Sequence, residues 1–319
     1  MKIVIPGGSG QVGAVLAREF HAGGHDVTVL SRKARVAPWK VLTWTGDACG
    51  DWLRSIEGSD VVINLIGRSV NCRYTPANRE EIFNSRVQST RTLGKAIAGA
   101  SKPPRVWLQA STATIYAHRY DAANDEFTGI LGGNEANVPS AWRFSIDVAK
   151  AWEQAANECE TPHTRKVLMR SAITLSPDSG GIFDTLLRLV RFGLGGKAGD
   201  GRQYVSWIHE ADFCRAVHWL IDRDNISGPV NLASPFPVPY IEFQRILRNA
   251  WGAPFGLPAT RWMVELGARL LRSESELVLK SRRVVPGRLL EDGFRFAYPM
   301  WSDAARDLCE RWRLSQRPA

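Results

Sequence analysis

The 319-residue chain lacks an apolar run approaching the ~20 residues of a membrane-spanning helix, so we expect no membrane partner. Its start leads from Lys2 straight into an apolar strand, without an apolar leader or cleavage site, so we expect no secretory signal. Its five cysteines are widely spaced and form no Cys-x-x-Cys, which argues against a disulfide framework or a zinc site. Reduced thiols in a cytoplasmic protein without a metal are therefore expected.

The charge balance is basic, with 41 Lys and Arg against 32 Asp and Glu, a formal net charge of +9. A basic chain can bind nucleic acid or an anionic small ligand. Here the basic residues are spread along the chain, and the two densest groups, 280–283 and 310–317, do not interleave aromatic residues as a single-strand binder does. Solvated surface charge is therefore expected, with no nucleic-acid partner.

The first half of the chain alternates strand and helix patterns. Nearly continuous β-branched runs predict strands that are buried on both faces of a parallel sheet. These predicted strands are residues 2–6, 26–32, 40–45, 61–67, 105–111 and 166–170. Helical patterns separate them, including residues 75–100, where Pro76 suits a first helical turn. The alternation predicts an α/β fold with a doubly wound parallel sheet of the Rossmann type.

The second half changes character after about residue 175. Helical patterns dominate from Tyr240 onward, at residues 240–251, 259–271, 274–280 and 302–313. A strand is also expected at 229–233, as part of the C-terminal lobe. The expected organisation is a Rossmann-type domain over residues 1–175, followed by a further region and a small, mainly helical C-terminal lobe over 176–319. Sheet and helix elements are expected to be shared between the two.

A glycine-rich turn, GGSGQVG, joins the first strand to the first helix. Gly7 permits the tight turn, Gly10 leaves room for a pyrophosphate, and Gly13 lets the helix pack on the strand. The helix N-terminus then offers free N–H groups to the anion. Glycines alone could be a structural turn, but this one lies between a strand and an amphipathic helix. The cofactor-binding positions predicted in the turn are Gly7, Gly8, Ser9, Gly10, Gln11, Val12 and Gly13.

The end of the second strand points to the identity of the dinucleotide. Chains that bind NAD place an acid there for the ribose hydroxyls, whereas this chain has Ser31 and Arg32. An Arg can pair with a 2′-phosphate through two parallel hydrogen bonds, and Ser31 can donate another. We therefore predict NADP(H) as the cofactor. The alternative interpretation is that Arg32 is an ordinary surface residue after a strand.

Several stretches, taken in order, resemble an extended short-chain dehydrogenase/reductase: G-x-x-G-x-x-G, then VINLIG, FNSRVQSTRTLGKAI and VWLQASTATIY. Later stretches, FGLGGKAGDGRQYVSWIHEAD, GPVNLASPFPV and LLEDGFRFAYP, resemble the branch named epimerase family protein, which ends in a small domain of unknown function. The resemblance implies a Rossmann fold with bound NADP(H). It further implies cofactor contacts at positions of strand ends and the adjoining helix, namely Leu65, Ile66, Glu81, Arg86, Ser111 and Ile173.

The catalytic residues of this family are incomplete in the chain. Typical members use Tyr-x-x-x-Lys with a Ser or Thr, where the Tyr exchanges a proton and the Lys lowers its pKa. In AWRFSIDVAKAWEQ, if Lys150 is the motif lysine, Ile146 stands where the Tyr should be. Shifting the motif by one residue puts Ser145 at the Tyr position and Ala149 at the Lys position. Neither register supplies the Tyr. Lys150 could still hold the ribose, or be a surface lysine.

The fifth strand ends in Ser111, Thr112 and a following Tyr116. Thr112 matches the family's Ser or Thr, so Thr112 and Lys150 are the predicted catalytic residues. The alternative is a polar strand end whose hydroxyls are tied to the backbone. Tyr116 could replace the missing acid or fill the core.

The substrate side is predicted in GDGRQYVSWIHEAD. Arg202 could pair with an anionic group, Gln203 could hydrogen-bond it, and His209 could act as acid or base near neutral pH. Trp207 is the fourth predicted substrate-binding residue. The alternative places Trp207 in the core between the lobes, with His209 before a helix that begins near Glu210.

The sequence thus predicts an NADP(H)-dependent oxidoreductase or epimerase acting on a small, polar, possibly anionic substrate. A non-catalytic or weakly catalytic NADP(H)-binding sensor or scaffold is the alternative, motivated by the missing Tyr. A homodimer is expected by analogy with extended members alone.

Overall fold

Eleven strands are found in the computed structural model, which describes residues 1–270 and 272–316. The strands are β1 (Lys2–Pro6), β2 (Asp26–Ser31), β3 (Lys40–Thr43), β4 (Val61–Asn64), β5 (Val106–Thr112), β6 (Arg165–Ser171), β7 (Ile173–Leu175), β8 (Tyr204–Val205), β9 (Trp207–His209), β10 (Gly228–Leu232) and β11 (Val238–Pro239). Seven of them form one sheet in the order β10-β6-β5-β4-β1-β2-β3, and each neighbouring pair is parallel. The predicted Rossmann-type, doubly wound sheet is therefore confirmed.

Helices cover both faces of this sheet and build the C-terminal lobe. They are α1 (Gln11–Ala22), α2 (Leu53–Ile56), α3 (Pro76–Ala98), α4 (Ser140–Asn157), α5 (Ile182–Arg191), α6 (Glu210–Asp222), α7 (Tyr240–Trp251), α8 (Arg261–Leu270), α9 (Glu276–Leu279), α10 (Gly287–Glu291) and α11 (Trp301–Ser315). At α3 the Thr75 side chain accepts the Asn78 N–H and Pro76 stands in the first turn, as the sequence predicts. Among the described residues, no helix is both long and apolar enough to span a bilayer.

The six predicted strands are all present, with ends that shift by up to three residues. The largest change is at β4, which ends at Asn64 and not at residue 67. The Asn64 side chain accepts the Ile66 N–H at 3.2 Å, so a local turn competes with the ladder and ends the strand there.

The strand expected at 229–233 in the C-terminal lobe is β10, and its location corrects that expectation. β10 pairs in parallel with β6 from Gly228 to Leu232 and forms one edge of the main sheet. Pro229 is tolerated because an edge strand has one side without ladder partners. The chain after residue 175 therefore completes the Rossmann sheet before it builds the lobe.

The lobe has its own apolar core. Phe243 of α7 stacks on Trp301 of α11 with ring centroids 4.2 Å apart, and Trp207 of β9 lies 5.1 Å from Trp301. Helix α7 matches the predicted range, whereas α9 is shorter than the predicted 274–280. Leu271, the last residue of the helix predicted at 259–271, lies outside the described residues, as do residues 317–319.

Candidate active site

The glycine turn after β1 has the close packing that its sequence predicts. Gly7 has φ +77°, and a Cβ there would come within 2.8 Å of the Ile66 backbone nitrogen. A Cβ at Gly13 would come within 2.7 Å of the Gly8 carbonyl carbon. α1 can therefore pack closely on the turn only because position 13 is a glycine. The turn is therefore held against the end of β4 and the start of α1 at the carboxyl edge of the sheet.

The N-terminus of α1 is open toward this turn. Gly10 is its N-cap in an extended conformation, and in the described part of the chain no side chain caps it. A Cβ at Gly10 would meet a single atom within 4 Å, the Gly7 carbonyl oxygen at 3.6 Å. Gln11 presses its amide against Gly181, and its buried Nε2 has no hydrogen-bond partner among residues 1–270 and 272–316. Free N–H groups and the positive end of the helix dipole suit a phosphate here.

Cationic side chains surround the outer side of the turn. The Ser31 hydroxyl, at the end of β2, donates to Ser9 Oγ at 3.1 Å, and Arg32 follows as an exposed residue. Arg35 donates through Nη1 to the Ser9 carbonyl oxygen at 3.4 Å. Sequence reasoning missed Arg35, whose distance from the motif gave no signal beyond its charge. Two guanidinium groups can therefore serve an anion beside the turn.

The residues predicted from the family resemblance occupy different environments. Leu65 and Ile66 follow β4 and pack on the cores at the two faces of the sheet. Ile173 starts β7, beyond the end of β6, and its N–H donates to the Ser206 carbonyl oxygen. Glu81 is exposed and forms an ion pair with Arg68.

Arg86 of α3 points its guanidinium into the molecule. Its Nη1 donates to the Ile82 carbonyl oxygen at 3.0 Å, and its Cζ lies 4.9 Å from the Trp152 ring centroid. A Cβ at Gly67 would come within 3.0 Å of that Cζ. No carboxylate pairs with Arg86 within the described residues, and burial lowers its pKa to about 10. The group remains a cation at neutral pH and faces the cleft described next.

A cleft of about 110 Å³ lies at the carboxyl end of β5. The walls come from the loop before α3, from α3 and α4, and from the C-terminal lobe: Val70, Tyr74, Ile82, Arg86, Thr112, Thr114, Phe144, Ser145, Val148, Ala149, Trp152, Glu276, Leu277 and Arg282. Thr112 Oγ1 accepts the Thr114 N–H at 3.2 Å, which leaves its own hydrogen free to donate into the cleft. The structure thus brings two predicted residues, Thr112 and Arg86, into one cavity.

The register of α4 is settled by which of its residues line the cleft. Ser145 and Ala149 do, whereas Ile146 is fully buried away from it. Lys150 donates from Nζ to the Gly132 carbonyl oxygen at 2.6 Å and is absent from the cleft wall. Lys150 lies five residues after Ser145, which at about 100° per residue turns its side chain about 140° away around the helix, so the two cannot share a face. The structure thus brings Lys150 to Gly132 and not to the Thr112 cleft, and the catalytic role of Lys150 stays a prediction.

Ser111 joins a buried polar network beside the cleft. Its hydroxyl donates to Glu153 Oε1 at 2.5 Å, and Arg170 donates to both oxygens of the same carboxylate at 2.8 Å. Arg170 also donates to the Tyr116 hydroxyl at 2.9 Å, which donates in turn to Asn231. Burial raises the pKa of Tyr116. The hydroxyl groups of Ser111 and Tyr116 are therefore both engaged in hydrogen bonds to other buried side chains.

The residues predicted for the substrate side are not gathered in the Thr112 cleft. Gln203 is buried and donates to the carbonyl oxygens of Ala198 and Val278, and Trp207 lies in the core of the lobe. Arg202 is exposed, with its Cζ 5.9 Å from the Tyr120 ring centroid. Among the four predicted substrate-binding residues, Arg202 is exposed to solvent and the other three are buried.

His209, the remaining substrate-side prediction, is the N-cap of α6. Its Nδ1 accepts the Ala211 N–H at 3.1 Å, and its Nε2 lies 3.0 Å from Asp307 Oδ2. Burial is the largest influence on its pKa and lowers it, although Asp307 acts in the opposite direction. Both ring nitrogens are thus engaged within the protein.

Sequence reasoning missed the three side chains that line the cleft from distant parts of the chain. Tyr74 precedes α3, and Glu276 and Arg282 belong to the C-terminal lobe. Their sequence separation gave no signal that they meet. Among the described residues, no group of three or more His, Cys, Asp or Glu side chains could hold a metal ion.

Comparison with known proteins agrees with this architecture. Residues 3–233 match the NAD dependent epimerase/dehydratase family, and residues 259–308 match a domain of unknown function. An epimerase family protein of Staphylococcus aureus is 31% identical over 310 residues, which cover 97% of this chain and 99% of that protein.

Two solved structures are similar over most of this chain. A human epimerase family protein with NADPH has a TM-score of 0.85 and 27% identity, covering 97% of this chain and 99% of that one. A nucleoside-diphosphate sugar epimerase from Corynebacterium glutamicum has a TM-score of 0.73 and 27% identity, covering 97% of this chain and 58% of that one. The family match spans well over half of the sequence, so the chain belongs to the NAD dependent epimerase/dehydratase family.

Proposed function

We propose that the protein is an NADP(H)-dependent oxidoreductase or epimerase that acts on a small polar substrate. The observation that carries the proposal is that the glycine turn and the Thr112 cleft both lie at the carboxyl edge of one parallel sheet, where open α/β sheets bind ligands. The cofactor would supply the hydride chemistry, and this chain would bind, orient and exchange protons.

The residues at the turn fit a dinucleotide. Gly10 leaves free space beyond the N-terminus of α1, and the buried Gln11 Nε2 has no partner in the described part of the chain. The diphosphate would lie on the backbone N–H groups between Gly7 and Gly13. The similar human protein was solved with NADPH, which supports the same class of cofactor here.

NADP(H) is favoured over NAD(H) by the charges beside the turn. Residues 31–35 contain Ser31, Arg32, Lys33 and Arg35 and no acid, so nothing there would repel a 2′-phosphate. Arg35 lies within reach of Ser9, and Arg32 is exposed on the same segment. We propose that Arg32 and Arg35 bind the 2′-phosphate and that the Ser31 hydroxyl turns from Ser9 to add a hydrogen bond.

Arg86 is proposed to serve an anion at the inner end of the site. A buried cation with no carboxylate partner in the described residues costs free energy unless a ligand compensates it. The cofactor diphosphate is that ligand in our proposal, since Arg86 packs against Gly67, which follows β4 near the turn.

Turnover distinguishes the enzyme from the alternative, an NADP(H)-binding sensor. A panel of carbonyl compounds and sugar nucleotides is mixed with protein and NADPH, and loss of nicotinamide absorbance is followed. If the protein is an oxidoreductase, at least one compound should oxidise NADPH. Thr112→Ala should slow this oxidation, whereas Thr128→Ala, a surface control, should leave its rate unchanged. An epimerase returns the hydride and oxidises no NADPH overall, so the same sugar nucleotides are also incubated with protein and NADP⁺ and checked for epimers by NMR. Tight cofactor binding with neither NADPH oxidation nor epimer formation would favour the sensor.

A further inference from the structure

A hydrogen-bonded chain of three side chains runs from the Thr112 cleft into the C-terminal lobe. Tyr74 Oη lies 3.2 Å from Ser145 Oγ, and Ser145 Oγ lies 2.5 Å from Glu276 Oε2. Tyr74 comes from the loop before α3, Ser145 from α4 and Glu276 from α9, so three separate segments meet here. All three side chains line the cleft.

The directions of these hydrogen bonds follow from the number of hydrogens available. A serine hydroxyl has one hydrogen, and the Ser145 hydroxyl donates it to the carboxylate. Tyr74 must then donate its own hydrogen to Ser145. The remaining lone pair of Tyr74 Oη is left to accept a hydrogen bond from a hydroxyl in the cleft. The two hydroxyl groups thus donate one after the other toward Glu276.

The carboxylate at the inner end is enclosed by charge. Glu276 is 1% exposed, and its Oε1 lies 3.6 Å from Arg282 Nη2 and 4.0 Å from Lys280 Nζ. Within residues 1–270 and 272–316, Oε1 has no hydrogen-bond partner. A buried carboxylate needs opposite charge nearby; Arg282 provides it, and Lys280 adds to it when protonated. Glu276 is therefore held in place by the lobe and is linked to Tyr74 through Ser145.

We propose that Tyr74, Ser145 and Glu276 form a proton relay that replaces the Tyr-x-x-x-Lys pair missing from α4. The inference rests on the proposed oxidoreductase function. It gives the C-terminal lobe a part in the chemistry, because its Glu276 accepts the proton.

The step balances in the direction of alcohol oxidation. The substrate O–H bond breaks and its proton passes to Tyr74 Oη, the Tyr74 proton passes to Ser145 Oγ, and the Ser145 proton passes to Glu276 Oε2. The C–H bond on the same carbon breaks, and its electron pair leaves with the hydrogen as a hydride that an oxidised nicotinamide accepts. Carbonyl reduction moves the same protons in the reverse order, from a protonated Glu276 to the carbonyl oxygen. Thr112 donates a hydrogen bond to the reacting oxygen.

The environment of Tyr74 suits a group that passes a proton without holding a charge. Burial, followed by the negative charge of Glu276, raises the pKa of Tyr74 to about 12. The phenol therefore stays neutral at physiological pH, and it accepts one proton while it gives up another. In the typical family pair the Tyr is itself the ionising group, so the two arrangements differ in where charge appears.

A first experiment tests the coupling and needs no turnover. The full-length protein is labelled with ¹³C at tyrosine Cζ, the Tyr74 resonance is assigned with Tyr74→Phe, and the phenol is titrated by NMR. The charged groups facing Tyr74 are Glu274, Glu276, Arg282, Arg86 and Arg79, the last with its Cζ 5.9 Å from the ring centroid. Asp307→Asn, which removes the carboxylate that binds Tyr298, is the matched control.

We expect Glu276→Gln to lower the pKa of Tyr74, because the neighbouring negative charge is gone. We expect Ser145→Ala to raise it, because the Ser145 hydroxyl can turn to donate to the Tyr74 phenolate, and the variant loses that hydrogen bond. Asp307→Asn should leave it unchanged. An unchanged Tyr74 titration in Glu276→Gln and Ser145→Ala would overturn the relay, whether or not the protein turns over any compound.

A second experiment uses any compound that the NADPH panel identifies. Tyr74→Phe and Glu276→Gln should each lower kcat about 100-fold or more, with little change in KM or NADPH affinity. The solvent deuterium isotope effect of the unaltered protein should disappear in Ser145→Ala. Wild-type kcat in both Tyr74→Phe and Glu276→Gln would overturn the relay while leaving the oxidoreductase function in place.

Discussion

The guanidinium carbon of Arg86 lies 4.9 Å from the ring centroid of Trp152, across the gap between α3 and α4. The contact fixes the Arg86 side chain beneath Gly67, where a Cβ would come within 3.0 Å of the same carbon. It gives the cation a π-face and a backbone carbonyl as neighbours, but no carboxylate in the described part of the chain. These contacts fix the position of the Arg86 guanidinium and leave its positive charge available to an anion.

Arg86→Met should therefore separate stability from ligand binding. An apolar side chain of similar length removes the desolvated cation, so the free energy of unfolding in urea should stay equal or rise. The affinity for NADPH should fall about 10-fold or more, since a charge-assisted hydrogen bond contributes ~1.5–3 kcal/mol. Calorimetric titration measures the affinity, and unchanged NADPH binding would contradict the cofactor role of Arg86.

Gly13→Ala should damage the turn. Its Cβ would come within 2.7 Å of the Gly8 carbonyl carbon, so backbone has to shift, at a cost of about 1–3 kcal/mol. NADPH affinity should fall as well, because the displaced amides belong to the proposed diphosphate site. The control is Gly267→Ala on α8, where a Cβ meets nothing within 4 Å and helix propensity favours alanine. Equal unfolding free energies for the two variants would refute this reading of the turn.

Arg32→Asp should alter the choice between the two nicotinamide dinucleotides. The introduced acid repels a 2′-phosphate and can accept hydrogen bonds from an unmodified ribose, so NADPH affinity should drop at least 10-fold while NADH affinity changes little. Arg35→Ala should weaken NADPH to a smaller extent. Arg54→Asp, an exposed change on α2, is the control. Equal losses for NADPH and NADH would defeat the assignment of the 2′-phosphate site.

Glu153→Gln should be among the more destabilising single changes. Its carboxylate binds Arg170 and Ser111 inside the protein, so neutralising it leaves a buried guanidinium without its counter-charge, at about 3–5 kcal/mol. Glu158→Gln removes a comparable pair with Arg91 on the surface and should cost under ~1 kcal/mol. Urea unfolding compares the two, and similar losses would show that the buried network contributes little.

Lys280 makes stability depend on pH in a predictable direction. Burial lowers its pKa to about 7, whereas the unfolded chain should have the ordinary value of 10.5. Between these values the unfolded state binds more protons, so this contribution to stability rises with pH and is lost as pH falls toward 7. Lys280→Met should flatten the unfolding free energy between pH 7 and 10.5, because the group that titrates there only in the unfolded state is gone. A slope identical to that of the unaltered protein would contradict the shift.

Much of the fold could be predicted because its signals are local. The apolar runs of β1 and β2, the glycines between β1 and α1, and the Pro76 start of α3 each need a few neighbouring residues to be read. β10 was misplaced because a short strand does not reveal its partner. Its pairing with β6 depends on the path of the chain through α5 and α6.

The site was predicted less completely than the fold, for two physical reasons. The sequence of α4 allows two registers one residue apart, and packing alone decides that Ser145 faces the cleft and Lys150 does not. Tyr74 and Glu276 lie about two hundred residues apart and meet only when the lobe closes over α3 and α4. Thr112 was found because its strand end carries a family motif.

Calorimetric titration of the purified, unaltered protein with NADPH and with NADH tests the central claim most directly. The account predicts one NADPH site per chain, with NADPH bound at least 10-fold more tightly than NADH, since one charge-assisted contact to the 2′-phosphate contributes ~1.5–3 kcal/mol. Detectable affinity for neither dinucleotide would contradict it.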